Sequence, residues 1–130
     1  MTYEDWYLVR DMATLATLND AAVSGPRLEP HNAVARLAEG GTAGLYGLNA
    51  GTALERPAHA AWFGKPAGMS YAALLELLRP LVDSSQGVLW MRQLVLGPTP
   101  EFCLQSEAPV VLPPSIDAKY LALSPVWPVP

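Results

Sequence analysis

Residues 62–96, WFGKPAGMSYAALLELLRPLVDSSQGVLWMRQLVL, decide how this chain folds. The stretch reads as the end of a strand, a turn, a capped helix and a returning strand. Lys65-Pro66-Ala67-Gly68 predicts the turn, because proline fixes φ and glycine accepts positive values. Ser70 stands where an N-cap belongs, its hydroxyl oxygen placed to accept from an amide one turn further in. Tyr71, Leu74, Leu75, Leu78, Leu81 and Val82 follow the spacing of a one-sided helix, with Glu76, Arg79 and Asp83 off the stripe. Pro80 lacks an amide hydrogen and crowds the preceding turn, which predicts a kink or a restart. The polar run 83–87 closes the helix on Gly87, a residue suited to a left-handed cap. Of the nine residues 88–96 only Arg92 and Gln93 are polar, which predicts a strand buried on both faces.

Upstream, residues 6–10 (WYLVR) read as a first strand, aromatic and partly β-branched. Asp11 is placed to cap a helix carrying Met12, Leu15, Ala16, Leu18, Ala22 and Val23, and Ser24-Gly25-Pro26 breaks it. A second short helix opens at Glu29-Pro30 and stops at Gly40-Gly41. Residues 42–49 (TAGLYGLN) predict a second strand whose glycines mark close approach, and residues 59–65 a third. Downstream the composition shifts: eight of the thirteen prolines lie between 98 and 130. Residues 101–105 (EFCLQ) predict a short strand that neighbouring prolines confine to an edge. From 109 onward the chain is expected to be extended and poor in regular structure. Its apolar residues, among them Val110, Leu112, Ile116, Tyr120 and Trp127, call for a surface of its own or a partner subunit to cover. The expected organisation is an α+β domain over 1–105 and an extended Pro-rich tail over 106–130.

The order β-α-β-β-α-β over residues 3–96 resembles the ferredoxin-like module, and within it the dimeric α+β barrel superfamily. The resemblance rests on element order. It implies an antiparallel sheet with helices on one face, and a homodimer whose two sheets face each other across a cavity. Members of that superfamily include small monooxygenases, dismutases and isomerases. No catalytic pattern from them carries over to residues of this chain, so the resemblance speaks to fold and not to reaction.

Composition narrows the functional classes. With 51% apolar and 15% charged residues the chain is globular, and its net charge of −4 with no basic run offers no footprint for nucleic acid. No run has the length of a membrane span, and Glu4 and Asp5 precede any apolar stretch, the wrong order for a signal peptide. A lone cysteine, Cys103, forms no internal disulfide, which points to the cytoplasm.

Strand alternation sorts the side chains into two sets. Tyr7, Val9, Leu45, Ala61, Phe63, Leu89, Met91, Gln93 and Val95 form the more aliphatic one, expected beneath the helices. Trp6, Leu8, Arg10, Tyr46, Leu48, Trp62, Trp90, Arg92 and Leu94 form the other, rich in tryptophan and carrying two arginines. Trp6, Arg10, Tyr46, Trp62, Trp90 and Arg92 are therefore the candidate ligand contacts: an apolar cavity with an arginine fork that suits a carboxylate or polarised carbonyl. Against this, apolar residues at strand spacing are commonly packing or interface, and the arginines have Glu4 and Asp5 as partners.

Catalytic candidates are sparse. His59 opens a strand and offers an acid or base, with Tyr46 and Glu101 as alternatives. His31 has no second ligand at metal spacing, so no metal and no cofactor is expected. Cys103 has Glu101 on the same strand face, and a carboxylate disfavours thiolate, so it reads as a buried structural residue. No phosphate loop and no nucleophile elbow occurs. The PVWPVP ending (125–130) suits docking on its own dimer better than an aromatic groove elsewhere. Three functions remain in view. The first is a homodimer binding a small apolar or aromatic ligand in a sheet-face cavity. The second is a cofactor-independent monooxygenase- or isomerase-like enzyme, and the third a purely structural dimerisation module.

Overall fold

The computed structural model describes residues 3–94 and 99–126. The chain divides into two compact units, Met1–Gly41 and Thr42–Pro130. Among the described residues it is an α+β protein with three α-helices and one open, antiparallel sheet of five strands, an arrangement compatible with a ferredoxin-like fold.

The first unit is helical. Helix α1, Met12–Ala22, starts where Asp11 accepts from the Thr14 amide at 2.8 Å, as its N-cap position predicts. A single 3-10 turn, Gly25–Arg27, leads into α2, Leu28–Ala35, with Pro30 in its first turn. Residues 6–10, expected as a strand, form none. Their side chains are engaged close by in sequence: the Trp6 indole donates to Glu4 at 3.4 Å, and Arg10 pairs with Asp11 at 3.1 Å. A short aromatic run becomes a strand only where a neighbour takes up its amides, and β-propensity alone does not supply one.

The second unit holds the sheet: β1 Leu45–Gly51, β2 His59–Phe63, β3 Val88–Leu94, β4 Phe102–Ser106 and β5 Ala118–Ala122, in the order β1-β3-β4-β2-β5. Helix α3, Tyr71–Ser84, connects β2 to β3. Both of those strands run antiparallel to β4, so they are parallel to each other with β4 inserted between them. This is a split crossover, the connection that requires a helix packed on one sheet face. The expected strand 88–96 is found to Leu94, and residues 95–96 lie outside the described residues.

α3 follows its sequence closely. The Ser70 hydroxyl accepts from the Ala73 amide at 3.1 Å, and Leu74, Leu78 and Val82 are its buried residues. The helix nonetheless passes through Pro80 as one element. Pro80 and Glu76, whose carbonyl loses its i+4 donor, are both exposed residues, which suits hydration of that group. At the C-terminus it is Gln86, with φ 49°, and not Gly87 that takes the left-handed conformation. Gly87 serves contact instead: a Cβ there would come within 2.9 Å of the Gln105 carbonyl oxygen.

β4 departs furthest from expectation. Read as an edge strand, it is the middle of the sheet, and all five of its residues are buried. Pro98, Pro100 and Pro109 lie outside it, so its amides are free to pair on both sides. Its two polar residues are satisfied, Gln105 accepting from the Trp90 indole at 2.8 Å and the Ser106 hydroxyl donating to the Ala108 carbonyl at 2.7 Å. The stretch expected to lack regular structure supplies β5, which pairs with β2, while Leu112 and Ile116 join the core. It covers its own sheet. The PVWPVP ending is described only to Val126, and residues 127–130 lie outside the described residues.

The core forms on the α3 side from Ala61, Phe63, Leu89, Phe102 and Leu104, with Leu74, Leu78 and Val82 above them. Phe63 and Phe102 stack with centroids 5.4 Å apart. Replacing Phe102 by alanine should cost roughly 3–5 kcal/mol in chemical denaturation, the usual loss for a fully buried aromatic. A chain ending at Gln105 loses β5, Leu112 and Ile116. It is expected to lose its cooperative unfolding transition, as followed by circular dichroism.

Candidate functional site

The alternation of β2 and β3 places Trp62, Trp90 and Arg92 on the sheet face opposite α3, and pairing with β3 puts Tyr46 and Leu48 on the same face. Trp90, Cys103, Trp62 and Lys119 are direct cross-strand neighbours in one row over β3, β4, β2 and β5. Four of the six candidate ligand contacts, Tyr46, Trp62, Trp90 and Arg92, are therefore gathered on one face. The other two, Trp6 and Arg10, belong to the helical unit.

Tyr46 and Trp62 meet edge to face, with centroids 5.7 Å apart and planes at 77°. Their strands are separated by β3 and β4. Two side chains reach each other over two intervening strands only by lying across the sheet, so this pair covers the face. Trp90 is 7% exposed and hydrogen-bonded to Gln105, which makes it a packed core residue. Trp62 is less completely buried than Trp90.

The polar groups of this region converge on the segment 99–101, just before β4. The Tyr46 hydroxyl donates to the Pro100 carbonyl at 2.6 Å, and the Arg92 guanidinium donates to the Thr99 carbonyl. Glu101 accepts from the Tyr71 hydroxyl through one oxygen and from the Lys65 amide at 3.2 Å through the other. The Lys65 ammonium donates to the Met69 carbonyl at 2.8 Å and sits 5.4 Å from the centre of the Tyr71 ring. Burial pushes the Tyr46 phenol above its ordinary value near 10.0, with the Arg92 charge pulling the other way and Cys103 adding to the rise. Tyr71 is raised too, chiefly because its hydroxyl is bonded to the Glu101 carboxylate. Tyr46 and Glu101, candidates for acid or base on the sequence, thus hold a loop in place. Arg92, a candidate carboxylate binder, spends a donor on a backbone carbonyl.

Beside this segment a groove of about 420 Å³ opens between the ends of β2 and β5. Its walls are Trp62, Phe63, Gly64, Pro100, Asp117, Ala118 and Lys119. The sequence offered no reason to single out Pro100, Asp117 or Lys119, because their place depends on β4 and β5 both pairing with β2. A second cleft, about 320 Å³ and lined mainly by apolar residues, lies where β2 begins, between the sheet and residues 109–111. His59 lines this one, together with Ala61, Leu104 and Tyr120. His59 shares the helix-side parity of Ala61 and Phe63 and sits at the far end of β2 from Phe63, about 13 Å away at the usual rise per residue. It does not share a site with Trp62.

His31 is an exposed residue of α2, and Cys103 is fully buried in β4. Among the described residues no cluster of His, Cys, Asp and Glu could hold a metal ion, and no helix is long and apolar enough to cross a membrane. The chain matches no protein-family model, no curated protein and no solved structure.

Because folding favours the protonated form of Tyr46, its contribution to stability is fully present below pH about 10 and is lost as pH rises through the shifted value. Tyr46→Phe is expected to lower stability at neutral pH by about 1 kcal/mol through the lost bond to Pro100. It should also remove part of the alkaline decline, which denaturant titrations at pH 8 and above pH 10 would measure.

Proposed function

We propose that this protein is a homodimeric module of ferredoxin-like type that binds a small apolar or aromatic ligand against Trp62. The observation that carries the reading is the groove beside the indole. A volume of about 420 Å³ falls in the range of small-molecule sites. An accessible tryptophan gives it an aromatic wall, and Lys119, cross-strand neighbour of Trp62, sets an exposed ammonium beside that wall. An indole next to an ammonium suits a planar aromatic carrying a carboxylate: the ring stacks and the charge is met at the rim.

Self-association draws support from the same face. Leu48 and Leu94 are each 54% exposed and lie on the side of Trp90, next to the Tyr46–Trp62 pair. Exposed leucines on the same face as partly buried aromatics are the kind of surface a second copy covers. Two such faces apposed would enclose the ligand as the α+β barrel resemblance implies. A single cysteine, which can form no internal disulfide, agrees with a reducing compartment such as the cytoplasm.

Titration of the isotope-labelled protein with 2-naphthoate, followed at the Trp62 indole and Lys119 amide resonances, tests the ligand reading. Saturable shifts at both are expected, weakened roughly five- to thirty-fold by Trp62→Ala, as for loss of a stacking partner of about 1–2 kcal/mol. Naphthoate that leaves both resonances unmoved at millimolar concentration would sink the reading. Light scattering checks the dimer independently, with a monomer at working concentration removing the enclosed cavity.

A further inference from the structure

We infer that Glu101 is the positioning residue that sets the width of this groove, an inference that rests on the groove being the ligand site. Two of the groove walls come from distant parts of the chain: Gly64, where β2 ends, and Pro100, ahead of β4. Neither wall residue has a side chain able to hold the other by a polar contact. Their immediate neighbours do: the Glu101 carboxylate, one residue after Pro100, accepts from the backbone amide of Lys65, one residue after Gly64, at 3.2 Å. The bond therefore ties one wall to the other directly.

Both ends of that tie are themselves held. Beyond Gly64, the Lys65 ammonium is committed to the Met69 carbonyl at 2.8 Å. Beyond Pro100, the Tyr46 hydroxyl fixes the Pro100 carbonyl at 2.6 Å and Arg92 fixes that of Thr99. The second carboxylate oxygen of Glu101 accepts from the Tyr71 hydroxyl, so the side chain is held from α3 as well. A carboxylate is the group this geometry requires. It presents two acceptors to two donors, whereas a glutamine presents one acceptor and must turn its amide toward Tyr71. Glu101 touches no ligand in this arrangement. It acts through Gly64 and Pro100.

The test compares Glu101→Ala, Glu101→Gln and Tyr71→Phe with the unaltered chain, by amide hydrogen exchange at Lys65 without ligand and by 2-naphthoate titration. Glu101→Ala is expected to speed Lys65 exchange roughly ten-fold or more, since a charge-assisted bond to that amide is lost. It should move the Trp62 indole resonance while that of Trp90, held by Gln105, stays in place, and it should weaken naphthoate several-fold. Tyr71→Phe changes one exposed hydroxyl, so it folds even where Glu101→Ala fails to, and it should shift the same signals in the same direction by less. Glu101→Gln should fall between the alanine variant and the unaltered chain. Lys65 exchange that is unchanged in Glu101→Ala, or in Tyr71→Phe where the alanine variant does not fold, overturns the inference. So does a Trp90 resonance that moves as much as that of Trp62, which would mean general loosening. If Lys65 and Trp62 respond but the unaltered chain takes up no naphthoate, the tie between the walls stands and the ligand reading falls.

Discussion

The burial of β4 on both faces is the constraint from which the rest of the second unit follows. A strand with neighbours on each side has every ladder amide and carbonyl satisfied internally, and it needs apolar cover above and below. Phe102 and Leu104 supply the contact to α3, while Cys103 carries the opposite face between Trp90 and Trp62. Once β4 is in the middle, β2 and β3 must be parallel and two strands apart. Only a connection as long as α3 can then join them. The turn at 65–68 and the helix length are consequences of that spacing as much as of local preference.

Legibility in the sequence tracked how local the determinants are. α3 was readable because its cap, apolar stripe and terminus lie within 15 residues of one another, and each is a property of the helix itself. At Pro80 the helix does not restart, because a proline on an exposed helix face leaves a carbonyl that water can satisfy. β4 and β5 were obscured by their prolines, which bound the strands and do not interrupt them. Residues 6–10 carry strand-forming side chains, yet strand formation also needs a partner segment to take up the backbone groups, and residues 6–10 pair with none. Pairing is a property of two segments, and one segment alone does not disclose it.

The candidate site divides in the same way. Alternation along β2 and β3 correctly put Trp62, Trp90 and Arg92 on one face, since the period of two is local. What those side chains do there was not local. The segment 99–101 arrives under Tyr46, Arg92 and Tyr71 and takes their donors, converting expected ligand contacts into loop anchors. Trp90 is removed from ligand contact by Gln105, a partner visible only once β3 and β4 are in register. Of the candidates on this face, Trp62 alone lines the groove, whose other walls include Ala118 and Lys119 of the neighbouring β5.

The two edges of the sheet bear on how a second copy could approach. β1 is irregular, with register shifts on either side of Tyr46–Leu48, and its Gly51 at φ +82° has no room for a side chain beside the Gly87 carbonyl oxygen. β5 is five residues long and carries the exposed Lys119. Bulges, shortness and an edge lysine are devices that discourage strand addition. With both edges guarded, continuing the sheet into a neighbour is disfavoured. In the homodimer we propose, a second copy would instead meet the broad face that carries the exposed Leu48 and Leu94, and that face-to-face arrangement would cover Trp62 as well.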